Sequence, residues 1–317
     1  MAGRRCARGR VSVVEVLFVL AMLAAGALVA WRPWQGGGED EGTLGLRYGR
    51  RADQLLDVYL ADGDTAGPHP LVVFVHGGGF SSGSRALGAD RSLMRAVTGA
   101  GMVFASVDHG LWPPSRFPEP ARDVARAVQY LRANAERFDL DPGRVALVGR
   151  SSGALLAGVV AWGPELRVPR SSDPVERESS RPQAWVNVSG PLDLLAMDGH
   201  VEVACFEGLR LMDVAHQRKV DASPLRLLHT WRTPPPPCFS IYRGEPGAEP
   251  LTDPHDARFG ELLMAELAQA PGGRKAGHVL RSSSRATGEG TAGLAPELQA
   301  EVVAWIRDHA RPPAASR

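Results

Sequence analysis

Residues 145–157 read VALVGRSSGALLA, and this stretch decides how the rest of the chain is arranged. Its first four residues, 145–148, form a short apolar run that is typical of a strand buried on both faces. Its last four residues, 154–157, are strong helix formers. Between them, residues 149–153 fit the pattern G-x-S-x-G, which in a strand-turn-helix context predicts a sharp turn that exposes Ser151. The alternative is an ordinary strand-to-helix turn made of small residues.

A second glycine-rich stretch also follows an apolar run. Residues 71–75 (LVVFV) predict a buried strand, and residues 76–80 (HGGGF) come directly after it. Three glycines let the backbone aim its N–H groups at an oxyanion, which forms when a serine attacks a carbonyl. A phosphate-binding loop would need a Lys-Ser or Lys-Thr pair after the glycines, and none is present. The two motifs together favour a serine nucleophile over an ordinary turn.

Composition narrows the class of protein. With 317 residues, of which 44% are hydrophobic, the chain suits a large α/β domain. A net charge of +1, without a basic stripe interleaved with aromatics, predicts no nucleic-acid partner. The three cysteines, Cys6, Cys205 and Cys238, lack metal-binding spacing, and H-E-x-x-H is absent, so we expect no metal and no cofactor. The sequence does not decide whether Cys205 and Cys238 form a disulfide.

The N-terminal region predicts membrane targeting. Residues 1–10 carry four arginines, and residues 11–31 are nearly all apolar. At about 1.5 Å per residue, this run can cross a hydrocarbon core of about 30 Å. We therefore expect a signal anchor that leaves the domain on the extracytoplasmic side, or a secreted protein if residues 25–27 (AGA) are a cleavage site. A flexible linker at residues 32–43 argues against a buried helix of the domain.

The folded domain is predicted over residues 44–312. Apolar runs indicate strands that alternate with amphipathic helices, which predicts a mostly parallel sheet covered by helices on both faces. Ligands bind such sheets at the carboxyl ends of the strands, where both glycine motifs lie. We expect residues 192–228 to be helical, to lie over the site and to set substrate specificity.

On these motifs the chain resembles the esterase/lipase branch of the α/β-hydrolases, the hormone-sensitive-lipase-like carboxylesterases. The resemblance covers about residues 55–309. Its further segments are 56–59 (LDVY), 117–124 (FPEPARDV), 141–145 (DPGRV), 189–194 (SGPLDL) and 222–225 (ASPL). It implies the α/β-hydrolase fold.

The resemblance also implies roles for particular residues. Ser151 corresponds to the nucleophile, and Gly78 and Gly79, with the N–H of Ser152, correspond to the oxyanion hole. The catalytic acid follows the strand at residues 238–242, and the catalytic histidine follows the last strand. The order serine, acid, histidine is the one expected of this fold.

The acid and the histidine match the family pattern less closely. Glu249 fits the acid position best, with Asp253 and Asp256 as alternatives, although each can also be an ordinary loop carboxylate. His278 is our prediction for the base, although it lies before or within the predicted last strand. Glu289 stands where the family pattern has its histidine, so a chain without a base is the alternative.

Other histidines fit the base less well. His255 starts the helix after the acid loop, His309 lies on the closing helix, and His76 belongs to the glycine motif. In the segment 108–110 (DHG), the family usually has Asp-Tyr-Arg, so the arginine that anchors this loop is missing.

The sequence therefore predicts a serine hydrolase that cleaves a small-molecule carboxylic ester through an acyl-enzyme on Ser151. One alternative is a binding module of the same fold that lacks the catalytic histidine. Another is a peptidase of the same fold. The acyl and alcohol parts of the substrate and the oligomeric state are not predicted.

Overall fold

One large sheet organises the chain, and the strand that ends at the G-x-S-x-G motif lies near its centre. The computed structural model describes residues 42–63, 66–231, 234–247, 250–269, 277–283 and 293–311. The strands are β1 (Thr43–Arg47), β2 (Leu55–Tyr59), β3 (His69–Val75), β4 (Val103–Val107), β5 (Leu140–Arg150), β6 (Ala184–Val188), β7 (Glu202–Val203), β8 (Leu209–Arg210), β9 (Cys238–Arg243) and β10 (Val279–Ser283). The helices are α1 (Arg91–Thr98), α2 (Glu119–Ala133), α3 (Ser152–Trp162), α4 (His216–Asp221), α5 (Pro224–Leu228), α6 (Arg258–Gln269) and α7 (Pro296–His309).

The sheet is mostly parallel, as predicted. Among the described residues its order is β1-β2-β4-β3-β5-β6-β9-β10, and the strands from β4 to β10 pair in parallel. Only β1 and β2, at one edge, run antiparallel to their neighbours. Leu147 of β5 pairs with Val73 of β3 and Trp185 of β6. The carboxyl ends of β3 and β5 therefore meet at the same edge of the sheet, with both glycine motifs beside each other.

Both faces of the sheet are buried, which explains the apolar run in β5. Val145 and Leu147 face a core that α2, α3 and α6 cover. Ala146 and Val148 face a second core that α1 and α7 cover. All four side chains are fully buried. Because water reaches neither face, the strand shows no polar alternation.

The prediction of a helical segment at residues 192–228 is correct only in part. The segment contains the short hairpin of β7 and β8 and two short helices, α4 and α5. The turn of the hairpin has positive φ angles at Glu207 (68°) and Gly208 (68°). A continuous right-handed helix cannot contain such backbone, so the chain reverses there.

No helix in the described part of the chain is long and apolar enough to cross a membrane. The predicted anchor at residues 11–31 lies outside the described residues and stays a prediction.

The two cysteines of the described domain do not form a disulfide. Cys205 and Cys238 are both buried free thiols, which answers the question that the sequence left open. Burial raises the pKa of the Cys205 thiol to about 12.

Candidate active site

Ser151 lies at a strained corner between β5 and α3. Its φ of 51° and ψ of −123° are unusual for a residue with a side chain, and such strain is typical of functional turns. Its N–H donates to the carbonyl oxygen of Val188 at 2.9 Å, which ties the corner to β6. A Cβ at Gly153 would lie 2.2 Å from the carbonyl oxygen of His76. Only glycine therefore lets the corner approach the neighbouring loop this closely.

The glycine loop after β3 lies against this corner. A Cβ at Gly77 would lie 3.2 Å from Cβ of Ser151. Gly78 and Gly79 have φ angles of 118° and 60°, which side chains other than hydrogen rarely allow. The N–H of Phe80 donates to Oγ of Ser152 at 3.4 Å, which links the loop to the start of α3.

The loop of Gly78 and Gly79 and the first residue of α3, Ser152, flank this corner. Neither glycine N–H donates to another described residue, and both glycines are exposed. Ser152 is the first residue of α3, where N–H groups have no partner within the helix. The positive end of the α3 dipole also lies here. The arrangement can stabilise an anion that forms on a group attached to Ser151.

The imidazole of His255 contacts Ser151. Nε2 of His255 lies 2.8 Å from Oγ of Ser151, although the two residues are 104 positions apart. His255 lies in the loop between β9 and α6, just before the helix that the sequence predicted. Its side chain is 49% exposed. A nitrogen at this distance can accept the serine proton when the imidazole is neutral.

Asp253 contacts the other ring nitrogen of this histidine. Its Oδ1 lies 3.2 Å from Nδ1 of His255 and accepts a hydrogen bond from the backbone N–H of His255 at 2.8 Å. A carboxylate there favours the tautomer in which Nδ1 carries the proton and Nε2 faces Ser151. Asp253 was the sequence's alternative acid, whereas the favoured Glu249 lies outside the described residues.

Asp256, the other alternative acid, has a different role. Its carboxylate accepts hydrogen bonds from the N–H of Arg258 at 2.8 Å and of Gly247 at 3.2 Å, and it pairs with the Arg258 guanidinium at 3.1 Å. Burial alone would raise the pKa of Asp256, but these hydrogen bonds and the arginine charge hold it below its ordinary value. The residue therefore closes the loop that carries His255.

The structure does not place His278 at the serine, so this part of the predicted site needs correction. His278 directly precedes β10, whose first residues pair with the start of β9. It therefore lies at the amino ends of the strands, whereas Ser151 follows the carboxyl end of β5. Nδ1 of His278 accepts a hydrogen bond from the N–H of Cys238 at 3.1 Å. Burial, followed by the charge of His309, lowers the pKa of His278 to about 4. Glu289 lies outside the described residues.

Two stacked histidines lie behind the glycine loop. The rings of His76 and His109 are 4.3 Å apart and nearly parallel. Nδ1–H of His76 donates to the carbonyl of Gly77 at 2.7 Å, and that of His109 donates to the carbonyl of Gly110 at 3.2 Å. Burial lowers the pKa of both, that of His109 to about 4 with a further contribution from His76. Both rings are therefore neutral at pH 7, and the hydrogen bond of His76 to Gly77 supports the glycine loop.

An arginine from another part of the chain, Arg85, anchors the segment 108–110. Arg85, which follows the glycine loop, donates through its guanidinium to Asp108 at 2.5 Å and to Asp57 at 2.8 Å. Its backbone N–H also donates to Asp108. These bonds join the end of the glycine loop to β2 and to the segment after β4. Sequence reasoning missed this compensation because the arginine comes from a different segment.

Within the described residues, no group of three or more His, Cys, Asp or Glu side chains could hold a metal ion. The groups that the structure places at Ser151 are a hydroxyl, an imidazole and a carboxylate.

Comparison with known protein families and curated proteins points to esterases. The BD-FAE family model matches residues 56–231. Esterase LipC of Mycobacterium tuberculosis is 35% identical over 131 residues, which cover 40% of this chain and 32% of LipC. Esterase LipI of the same organism is 28% identical over 205 residues, which cover 62% of this chain and 60% of LipI. The chain thus spans about a third of LipC and three fifths of LipI.

Solved structures share the fold at lower sequence identity. A truncated carbohydrate esterase from gut microbiota superposes with a TM-score of 0.69 at 18% identity, covering 87% of this chain and 99% of that one. The propionate-bound esterase Est2 of Thermogutta terrifontis superposes with a TM-score of 0.60 at 21% identity, covering 87% and 96%. At these identities the likeness shows the fold alone.

Proposed function

We propose, from the premise that this chain belongs to the BD-FAE family of α/β-hydrolases, that it cleaves carboxylic esters through an acyl-enzyme on Ser151. The observation that carries the proposal is the 2.8 Å contact between Oγ of Ser151 and Nε2 of His255. A free serine hydroxyl is a weak nucleophile, and a neighbouring base activates it by taking its proton. His255 is positioned to be that base.

In the first half of the reaction, Oγ of Ser151 attacks the ester carbonyl while Nε2 of His255 takes the hydroxyl proton. The carbonyl oxygen becomes an oxyanion, which the N–H groups of Gly78, Gly79 and Ser152 stabilise. His255 then gives its proton to the departing alcohol oxygen, and an acyl-enzyme remains. Asp253 stabilises the imidazolium that forms between these steps.

In the second half, a water molecule gives a proton to Nε2 of His255 and attacks the acyl carbonyl. The same oxyanion hole stabilises the second intermediate. His255 then returns the proton to Oγ of Ser151, and the carboxylic acid leaves. Because His255 and Asp253 are half-exposed, water can reach them directly.

Short acyl esters are the first substrates to test, since the similar Est2 structure holds propionate. We expect the full chain to hydrolyse p-nitrophenyl propionate, and Ser151→Ala to reduce kcat by at least about 10³-fold. A fluorophosphonate should label Ser151 in the folded protein. Absence of both labelling and turnover would contradict the proposal.

A second candidate function follows from the exposure of the Asp253–His255 pair. Asp253 is 64% exposed, so solvent screens its charge more than in a buried triad. If the pair is too weak to activate Ser151, the chain is a binding module of the same fold. Turnover of p-nitrophenyl propionate that disappears in Ser151→Ala would exclude this candidate.

A further inference from the structure

A cavity separate from the candidate active site lies between α2, α3 and the segments that cover them. Its volume is about 380 Å³. Val159 and Val160 line it from α3, eight and nine residues after Ser151. At about 1.5 Å per residue, they lie about 12 Å further along the helix than the serine. None of the residues to which we assign catalysis lines this cavity.

The interior of the cavity is apolar. Four buried side chains line it, namely those of Phe117, Ala125, Val160 and Leu227. Leu166, at the surface end, is 38% exposed. The volume falls within the range of about 300–1,000 Å³ that is usual for small-molecule sites. An apolar group of limited size would therefore be removed from water here.

Three charged side chains also line the cavity, namely Arg122, Arg218 and Asp221. Among the residues that the structure describes, neither arginine has a carboxylate at ion-pairing distance. The guanidinium of Arg218 lies over the ring of Phe206, 5.1 Å from its centroid. Asp221 accepts a hydrogen bond from Gln217 at 2.7 Å. The balance of charge around the cavity is thus positive.

We propose that this cavity binds a medium-chain monocarboxylate, a free fatty carboxylate of about the size of octanoate. The alkyl chain would lie against the apolar lining. The carboxylate would meet Arg122 and Arg218, because neither guanidinium group has a carboxylate partner among the described residues. Asp221 would repel the same carboxylate and so weaken binding. An alcohol of equal length gains nothing from the arginines, and acetate gains nothing from the apolar lining.

The test is calorimetric titration of octanoate into the full chain carrying Ser151→Ala, which separates this site from ester turnover. We expect saturable binding of one octanoate, with 1-octanol and acetate each binding at least fivefold more weakly. Arg122→Gln should weaken octanoate binding two- to fivefold, and Asp221→Asn should strengthen it by a similar factor. Both side chains are exposed, so both variants should fold. Ala125→Phe, which fills the cavity, should weaken binding at least tenfold.

Three results would overturn the proposal. Octanoate could show no saturable binding in the millimolar range. It could bind equally well to the Ser151→Ala chain with and without Arg122→Gln or Asp221→Asn, which would place it elsewhere on the chain. It could also bind no better than 1-octanol, which would mean that the arginines do not recognise a carboxylate. Each of these results leaves the proposed hydrolase activity untouched, since that activity is measured with intact Ser151 and an ester.

Discussion

The two halves of the candidate active site are built in different ways. The corner at Ser151 and the glycine loop depend on short stretches of sequence at the ends of neighbouring strands, where close backbone approach requires glycine. The loop of Asp253 and His255 reaches the serine from 104 positions away, and its half-exposed side chains depend on how that loop folds. The first half is encoded locally and held by close backbone contacts, whereas the second half depends on long-range placement.

This difference explains which residues a sequence can reveal. A nucleophile on a sharp turn leaves a local pattern, because the steric demand falls on residues within two positions of it. A catalytic base leaves no such pattern, because its only requirement is that the folded chain brings it within hydrogen-bond distance of the serine hydroxyl. The following experiments test whether the two halves differ in this way.

Replacing His255 should have the largest effect on activity. His255→Gln removes the nitrogen that accepts the Ser151 proton, so kcat for p-nitrophenyl propionate should fall about 10³-fold. The matched control is His278→Gln, which changes a histidine at the opposite edge of the sheet and should leave kcat within about twofold. If His278→Gln abolished activity and His255→Gln did not, the base would be misassigned.

How much of this could be predicted from the sequence follows the same division. Apolar runs such as residues 71–75 and 145–148 predicted the buried strands, because side chains with water on neither face show no polar alternation. Ser151, Gly78 and Gly79 came from local motifs together with a family resemblance, and the structure places the glycine loop against the corner of Ser151.

His255 could not be predicted in that way. The family resemblance directed attention to the region after the last strand, where Glu289 stands, and His255 looked like the first residue of a helix. Its nearness to Ser151 arises from the path of the loop that Asp256 and Arg258 hold together. The one available signal was the spacing Asp253-Pro254-His255, in which an acid and a histidine lie close enough to contact each other.

The corner at Ser151 should respond strongly to one added methyl group. Gly153→Ala would place a Cβ 2.2 Å from the His76 carbonyl oxygen, and neither backbone can move without disturbing the corner. We expect a loss of about 3 kcal/mol in the free energy of unfolding, measured by urea denaturation. Gly79→Ala is the contrast, since its Cβ meets no atom within 4 Å but its φ of 60° is strained, so it should cost about 1 kcal/mol.

Acid should weaken the support behind the glycine loop. Since the pKa of His109 in the fold is about 4, against an ordinary 6.5, the unfolded chain binds more protons between these values. The stability that the fold gains by keeping His109 neutral is therefore fully present above pH 6.5 and is lost as the pH falls toward 4. Between pH 7 and pH 5, protonation at this one residue should lower the free energy of unfolding by about 2 kcal/mol.

The variant that checks the pH effect is His109→Phe, compared with wild type by urea denaturation at pH 7 and pH 5. At pH 7 the change should cost less than about 1 kcal/mol. The ring still packs on His76, and the change removes a buried Nε2 that has no hydrogen-bond partner in the described part of the chain. The difference in stability between the two pH values should shrink by about 2 kcal/mol. An unchanged difference would mean that His109 is not kept neutral by the fold.

Asp253 should have the smallest effect, because its charge is exposed. Asp253→Asn keeps an oxygen that can accept the His255 N–H but removes the charge, and we expect kcat to fall about tenfold. The same change in a buried triad costs about 10⁴-fold, because the fixed amide holds the imidazole in the wrong tautomer, whereas an exposed amide can turn its oxygen toward Nδ1 of His255. Salt gives a second measurement. Raising the ionic strength should lower kcat of the wild type and leave that of Asp253→Asn nearly unchanged, since only the wild type forms a carboxylate–imidazolium pair during the reaction. A loss of kcat as large as that of His255→Gln would show that the loop closes over the pair during catalysis and removes it from water.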